Sequence, residues 1–77
     1  MTKIDIAKKI IKEHIRDAEC GIFNTRNIVG DEMTNLYRRD GLEIDICYGW
    51  AYFEVFGLSD KEFDKLVSYY KSIGGAV

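Results

Sequence analysis

Several residue types that often carry structure or chemistry are scarce in this sequence of 77 residues: it has no proline, one histidine and two cysteines. Without proline, we expect continuous helices and strands that are joined at glycine turns. His14 falls beside an apolar helical stripe, so we expect it to pack at the core edge rather than act as a base. Cys20 and Cys47 lack CxxC spacing, and no His or basic residue is predicted beside Cys47, so we do not expect it to act as a nucleophile.

Long apolar runs and a strong excess of one charge are also missing. No stretch is long enough to span a membrane. The first residues lack the pattern of a signal peptide, so we expect free thiols in a cytoplasmic protein. The net charge of −2 argues against nucleic acid as the main partner. The short chain predicts a single domain over residues 1–77 with a thin core.

An amphipathic helix is predicted over residues 2–18. Its apolar residues recur at steps of three and four, which places them on one face of a helix; they are Ile4, Ala7, Ile11, Ile15 and Ala18. Thr2 followed by Asp5 is typical of an N-terminal cap, and Gly21 is a natural stop.

The segment 20–31 has no clear period. Two apolar pairs, Ile22-Phe23 and Ile28-Val29, flank a polar centre that consists of Asn24, Thr25, Arg26 and Asn27. The apolar pairs fit either a short strand or a loop whose ends lie under the core. The polar centre is a candidate site for a small ligand, although capping of the backbone by Asn and Thr is the commoner role.

From residue 32 to residue 58 the apolar period changes to two, which predicts three antiparallel strands. Asp40-Gly41 and Gly49-Trp50 are expected to form two-residue hairpin turns. The strands would then cover residues 33–39, 42–48 and 51–56.

The two turns also predict the register of the sheet. Opposed residues share a face, so one face is apolar and carries Ile44, Ile46, Tyr48, Phe53 and Val55. The other face is expected to oppose Leu36 with Asp45, Thr34 with Cys47, Arg38 with Glu43, Asp45 with Glu54, and Glu43 with Phe56.

A second helix is predicted after Leu58. Ser59 with Glu62 is a capping box, and Leu58 with Phe63 is a hydrophobic staple. The inward stripe consists of Phe63, Leu66, Val67, Tyr70 and Ile73, and Gly74-Gly75 ends the helix. The predicted fold is therefore α+β: an N-terminal helix, a three-stranded antiparallel meander and a C-terminal helix, with both helices on the apolar face.

The opposite face is expected to be open, with Trp50 at its edge. Its predicted partner-binding residues are Leu36, Asp45, Trp50, Tyr52, Glu54 and Phe56, since aromatic groups among charges are a common composition of binding hot spots. The alternative is a solvated face whose aromatics serve strand propensity. On this face Tyr52 should tolerate substitution better than Phe53 on the apolar face.

Asp45 opposite Glu54 places two like charges across a strand pair, which destabilises a sheet. We expect the two carboxylates to splay into water. A cation or a partner's Lys or Arg is the alternative, but two carboxylates without a histidine are too few for a metal site.

Three motifs carry a resemblance that covers most of the chain: Asn24-Thr25-Arg26-Asn27, Asp45-Ile46-Cys47-Tyr48, and Phe53-Glu54-Val55-Phe56-Gly57-Leu58. They resemble short uncharacterised proteins of Gram-positive anaerobes and their phages. That group carries no assigned activity, so the resemblance implies only a mobile-element origin, and no catalytic residue can be carried over from it.

These observations predict a small non-enzymatic protein–protein interaction module without cofactor or metal, such as a phage accessory protein that modulates a host factor. The partner is another protein or a second copy of the chain. The alternatives are a homo-oligomeric structural protein and a single-strand nucleic-acid binder that stacks bases on sheet aromatics. The acidic residues argue against the nucleic-acid binder.

Overall fold

A computed structural model describes residues 1–25 and 32–76. Its elements are α1 (Lys3–His14), β1 (Ile22–Phe23), β2 (Met33–Arg39), β3 (Leu42–Cys47), β4 (Tyr52–Phe56) and α2 (Asp60–Ser72). The strands form one mixed sheet in the order β1-β4-β3-β2. The α+β class is confirmed, but the predicted three-stranded antiparallel sheet is wrong because β1 adds a fourth strand, parallel to β4.

The short strand β1 lies along β4, at the edge of the sheet. Backbone hydrogen bonds join Cys20 N to Ala51 O at 2.8 Å and Phe53 N to Gly21 O at 2.9 Å. The side chain of Ile22 is buried. Of the two alternatives for the first apolar pair, the short strand is therefore correct. Ile28-Val29 lies outside the described residues.

Both helices begin at the predicted caps. Thr2 and Asp5 form a capping box at α1, and Ser59 and Glu62 form another at α2. Each box satisfies backbone N–H groups that a helix start leaves without partners. The first helix ends at His14 rather than at residue 18, but Ala18 is still buried and its carbonyl accepts a hydrogen bond from the Tyr70 hydroxyl at 3.3 Å.

The core lies between the two helices and the predicted apolar face of the sheet. The helices contribute Ala7 and Ile11 from α1 and Leu66 and Tyr70 from α2, and the sheet contributes Ile44, Ile46, Phe53 and Val55. All eight are fully buried in one cluster. The prediction that both helices cover this face is therefore confirmed for the described chain.

The register between β3 and β4 is the predicted one, with Ile46 opposite Phe53 and Ile44 opposite Val55. The turn that joins them differs from the prediction. Residues 48–51 form a four-residue connection, and the residue with positive φ is Ala51, at 54°, rather than Gly49. Tyr48 therefore leaves the sheet, and its predicted place on the apolar face is wrong.

The register between β2 and β3 is correct only for the half nearest the turn. Tyr37 lies opposite Ile44 and Arg38 opposite Glu43, but an irregularity between residues 35 and 37 shifts the remainder by one residue. Leu36 packs against the core cluster, while Asn35 is exposed. The unbroken register would have put polar Asn35 on the core face and apolar Leu36 outside, so the bulge is the favourable arrangement.

Gly57 follows β4 directly, where the close approach of the turn before β3 leaves no room for a side chain. Its φ is 101°, and a Cβ atom there would overlap the carbonyl oxygen of Gly41. Gly74 has nearly the same φ, 100°, but nothing lies within 4 Å of the position of its Cβ. A comparison of alanine substitutions at these two positions therefore separates the cost of backbone strain from the cost of steric overlap.

We expect Gly57→Ala to destabilise the protein clearly more than Gly74→Ala. Both substitutions place a side chain at an unfavourable φ, which costs about 1–3 kcal/mol, and only Gly57→Ala adds the overlap with Gly41. Urea unfolding of the two variants measures the difference. If both variants lost the same free energy of unfolding, the backbone around Gly57 would be able to move away from Gly41 without cost.

Candidate interaction surface

The six predicted partner-binding residues do not form one open surface. Trp50 and Phe56 are exposed, Asp45, Tyr52 and Glu54 are buried, and Leu36 packs against the core. The register had placed Asp45, Tyr52 and Glu54 on the correct face. The error was to equate that face with solvent, because a strand pattern reports which side a residue faces and not what covers it.

The centre of this second face consists of two opposed pairs, Asp45 with Glu54 and Cys47 with Tyr52. Asp45 is 6% exposed, Glu54 3%, and Cys47 is completely buried. The prediction that the carboxylates splay into water is therefore wrong. The Phe23 ring packs edge-on against Tyr52, with 5.3 Å between the ring centroids.

Burial changes the acid–base chemistry of this centre. It raises the pKa of Asp45, and the nearby charge of Glu43 adds to the rise while Arg38 opposes it. Burial, followed by the contact with the Cys47 side chain, raises the pKa of Tyr52 to about 12. Both groups therefore favour their neutral forms more than they do in water.

Asp45 should make the protein lose stability as the pH rises. The folded protein binds the Asp45 proton more tightly than the unfolded chain, so stability is highest below the ordinary pKa of 3.8 and falls as the pH passes through the folded value. Asp45→Asn abolishes this titration. We therefore expect the stability of the variant, relative to wild type, to increase with pH.

Urea unfolding between about pH 3 and pH 7 measures this difference. Asp64→Asn is the matched control, because Asp64 is an exposed carboxylate on α2. A gap between Asp45→Asn and wild type that stays constant over the whole range would contradict burial as the source of the shift.

Basic side chains at the edge of the second face and at the end of α1 lie close to acidic side chains. Among residues 1–25 and 32–76, no group of three His, Cys, Asp or Glu residues is arranged to hold a metal ion. His14 lies away from the sheet centre, on α1, where its Nδ1 is 3.5 Å from Asp17 Oδ2. Arg38 and Glu43 form the predicted cross-strand pair at 3.3 Å.

The polar centre of segment 20–31 is only partly within the described chain. Asn24 is exposed and Thr25 is half-buried. Arg26 and Asn27 lie outside the described residues, so the predicted ligand site stays a prediction.

A different exposed surface forms at the end of the sheet where β3 turns into β4. Trp50 is 65% exposed, Tyr48 45% and Met33 40%. The backbone brings them to one end: Met33 lies opposite Cys47, and Tyr48 N donates to Glu32 O at 2.9 Å. We call Met33, Tyr48 and Trp50 the turn-end cluster.

Sequence reasoning found only one member of this cluster. The predicted strand 42–48 is one residue too long, and this placed Tyr48 on the apolar face. No role was predicted for Met33. The Tyr48-Gly49-Trp50 motif could have indicated this exposure. A turn lies at the end of a sheet, so two large aromatic side chains on it have little access to the core.

Comparisons of the chain with family models, with curated proteins and with solved structures give no match. Within the described part of the chain, neither helix combines the length and the apolar character needed to cross a lipid bilayer.

Tyr52→Ala and Phe53→Ala should both destabilise the protein strongly. The two side chains lie on opposite faces of β4, and both are buried. Loss of a large buried aromatic group costs about 3–5 kcal/mol. Tyr48→Ala is the exposed control and should change stability by about 0.5 kcal/mol or less. If Tyr52→Ala is as mild as this control when unfolding is followed by circular dichroism, the second face is open after all.

Proposed function

We propose that this protein is a small non-enzymatic protein–protein interaction module that binds its partner through the turn-end cluster. The observation that carries the proposal is the exposure of Met33, Tyr48 and Trp50 together at one end of the sheet. Trp and Tyr are enriched among the residues that dominate binding energy, and Met adapts to irregular apolar surfaces.

The fold does not account for the exposure of these side chains. A core of this size gains from every large apolar group that it buries, at roughly 25 cal/mol per Å². Tyr48 and Trp50 do not belong to the core cluster, which takes Phe53 and Tyr70. Grouped apolar exposure on a small domain is typical of an interaction surface.

The resemblance to short proteins of Gram-positive anaerobes and their phages supports a more specific form of this proposal. A chain of that origin would act in the host cytoplasm as an accessory protein and would modulate a host factor by binding it. Such a role requires a surface for recognition, and the turn-end cluster is the candidate for it.

The test is a comparison of two variants in a pull-down from host lysate. Tyr48→Ser with Trp50→Ser removes the aromatic part of the turn-end cluster. Phe56→Ser is the control, because Phe56 is also exposed but lies at the other end of β4. We expect the double variant to keep its circular dichroism spectrum and to lose the captured protein, while the control retains it.

Solution mass should accompany the pull-down. A wild-type dimer that becomes a monomer in the double variant would indicate that the cluster binds a second copy of the chain instead. Capture that persists in the folded double variant, or that is lost only with Phe56→Ser, would contradict the proposed surface.

A further inference from the structure

We infer that the turn-end cluster recognises a basic apolar segment of a partner protein, in which Lys or Arg stands next to an aliphatic or aromatic side chain. This inference rests on the proposed function. It starts from the charged residues that the backbone places beside the cluster.

Two glutamates border the cluster. Glu32 is exposed and immediately precedes Met33, and its carbonyl oxygen accepts the hydrogen bond from Tyr48 N at 2.9 Å. Glu19 is also exposed, and it precedes Cys20, whose N–H donates to Ala51 O at 2.8 Å. The backbone therefore places one exposed glutamate on each side of the turn that carries Trp50.

The positive charges of the described strands lie at the opposite end of the sheet. Arg38 and Arg39 are the last residues of β2, next to the turn at Asp40. Arg38 is engaged with Glu43, and Arg39 lies 3.9 Å from Asp40. The described strands therefore place no Lys or Arg at the end of the sheet that carries the turn-end cluster.

This combination of groups selects the chemistry of the occupant. An Arg or Lys can place its cation against the face of Trp50 or Tyr48 and pair with a flanking glutamate. A neighbouring apolar side chain can cover Met33. A phosphate backbone or an anionic lipid headgroup would instead meet two carboxylates, which repel it.

The probe is a library of random dodecapeptides displayed on phage, selected in parallel against wild type and two folded variants. One variant is Trp50→Ser. The other is Glu19→Lys with Glu32→Lys, which reverses the charge of the border and leaves the cluster intact. We expect wild type to enrich peptides that join Lys or Arg to an apolar residue. The charge-reversed variant should enrich apolar peptides without the basic residues.

The peptide that wild type enriches most is then synthesised, and its association rate is measured with wild type and with the charge-reversed variant. We expect charge reversal to slow its association by about tenfold or more at low salt, and the difference to shrink as salt is added, because border charges act mainly on the encounter of the partners. Lys71→Glu, on the helix layer, is the control and should change the rate little.

The outcomes separate this inference from the proposed function. Peptides that are lost with Trp50→Ser but carry no excess of Lys or Arg would overturn the inference and leave the interaction surface in place. An equal basic excess on the charge-reversed variant would overturn it as well. Enrichment on wild type that is unchanged in Trp50→Ser would overturn both.

Discussion

The pairing of β3 with β4 is the constraint on which the other parts of this molecule depend. It opposes Ile46 to Phe53 and Ile44 to Val55, and these four fully buried side chains are the floor on which both helices pack. Because side chains alternate along a strand, the same pairing forces Asp45, Cys47, Tyr52 and Glu54 onto the other face. A slip of one residue would exchange the two sets and leave the helices with carboxylates to cover.

The elements with strong local signals could be predicted from the sequence. The capping boxes at Thr2 and Ser59 act within four residues of chain, and Asp40-Gly41 adopts the positive φ values that its hairpin turn requires. The bulge in β2 could not be predicted in this way. The bulge places Leu36 rather than Asn35 toward the core. This preference can be recognised only after the position of β3 is known. A short strand at Ile22-Phe23 was one of two alternatives, and two residues show no period that could decide between them.

The candidate site was harder to predict than the fold, for a related physical reason. Alternation identifies the side of a sheet, and this was correct for Asp45, Tyr52 and Glu54. Exposure depends on what packs over that side, which is a tertiary property without a local sequence signal. Burial of Asp45 can nonetheless be detected chemically, because desolvation raises the pKa of its carboxyl group.

Exposure of the turn-end cluster also follows from the geometry of the β3–β4 connection. A two-residue turn would have held Tyr48 and Ala51 in the ladder and kept Tyr48 on the apolar face. The four-residue connection instead releases Tyr48 from the strand, and the left-handed φ of Ala51 returns the chain to β4 in the same register. The pairing of β3 with β4 therefore does not depend on which side chains the connection carries. Substitutions at Tyr48 and Trp50 can therefore change the exposed surface at this end of the sheet without disturbing the strands on which the helices pack.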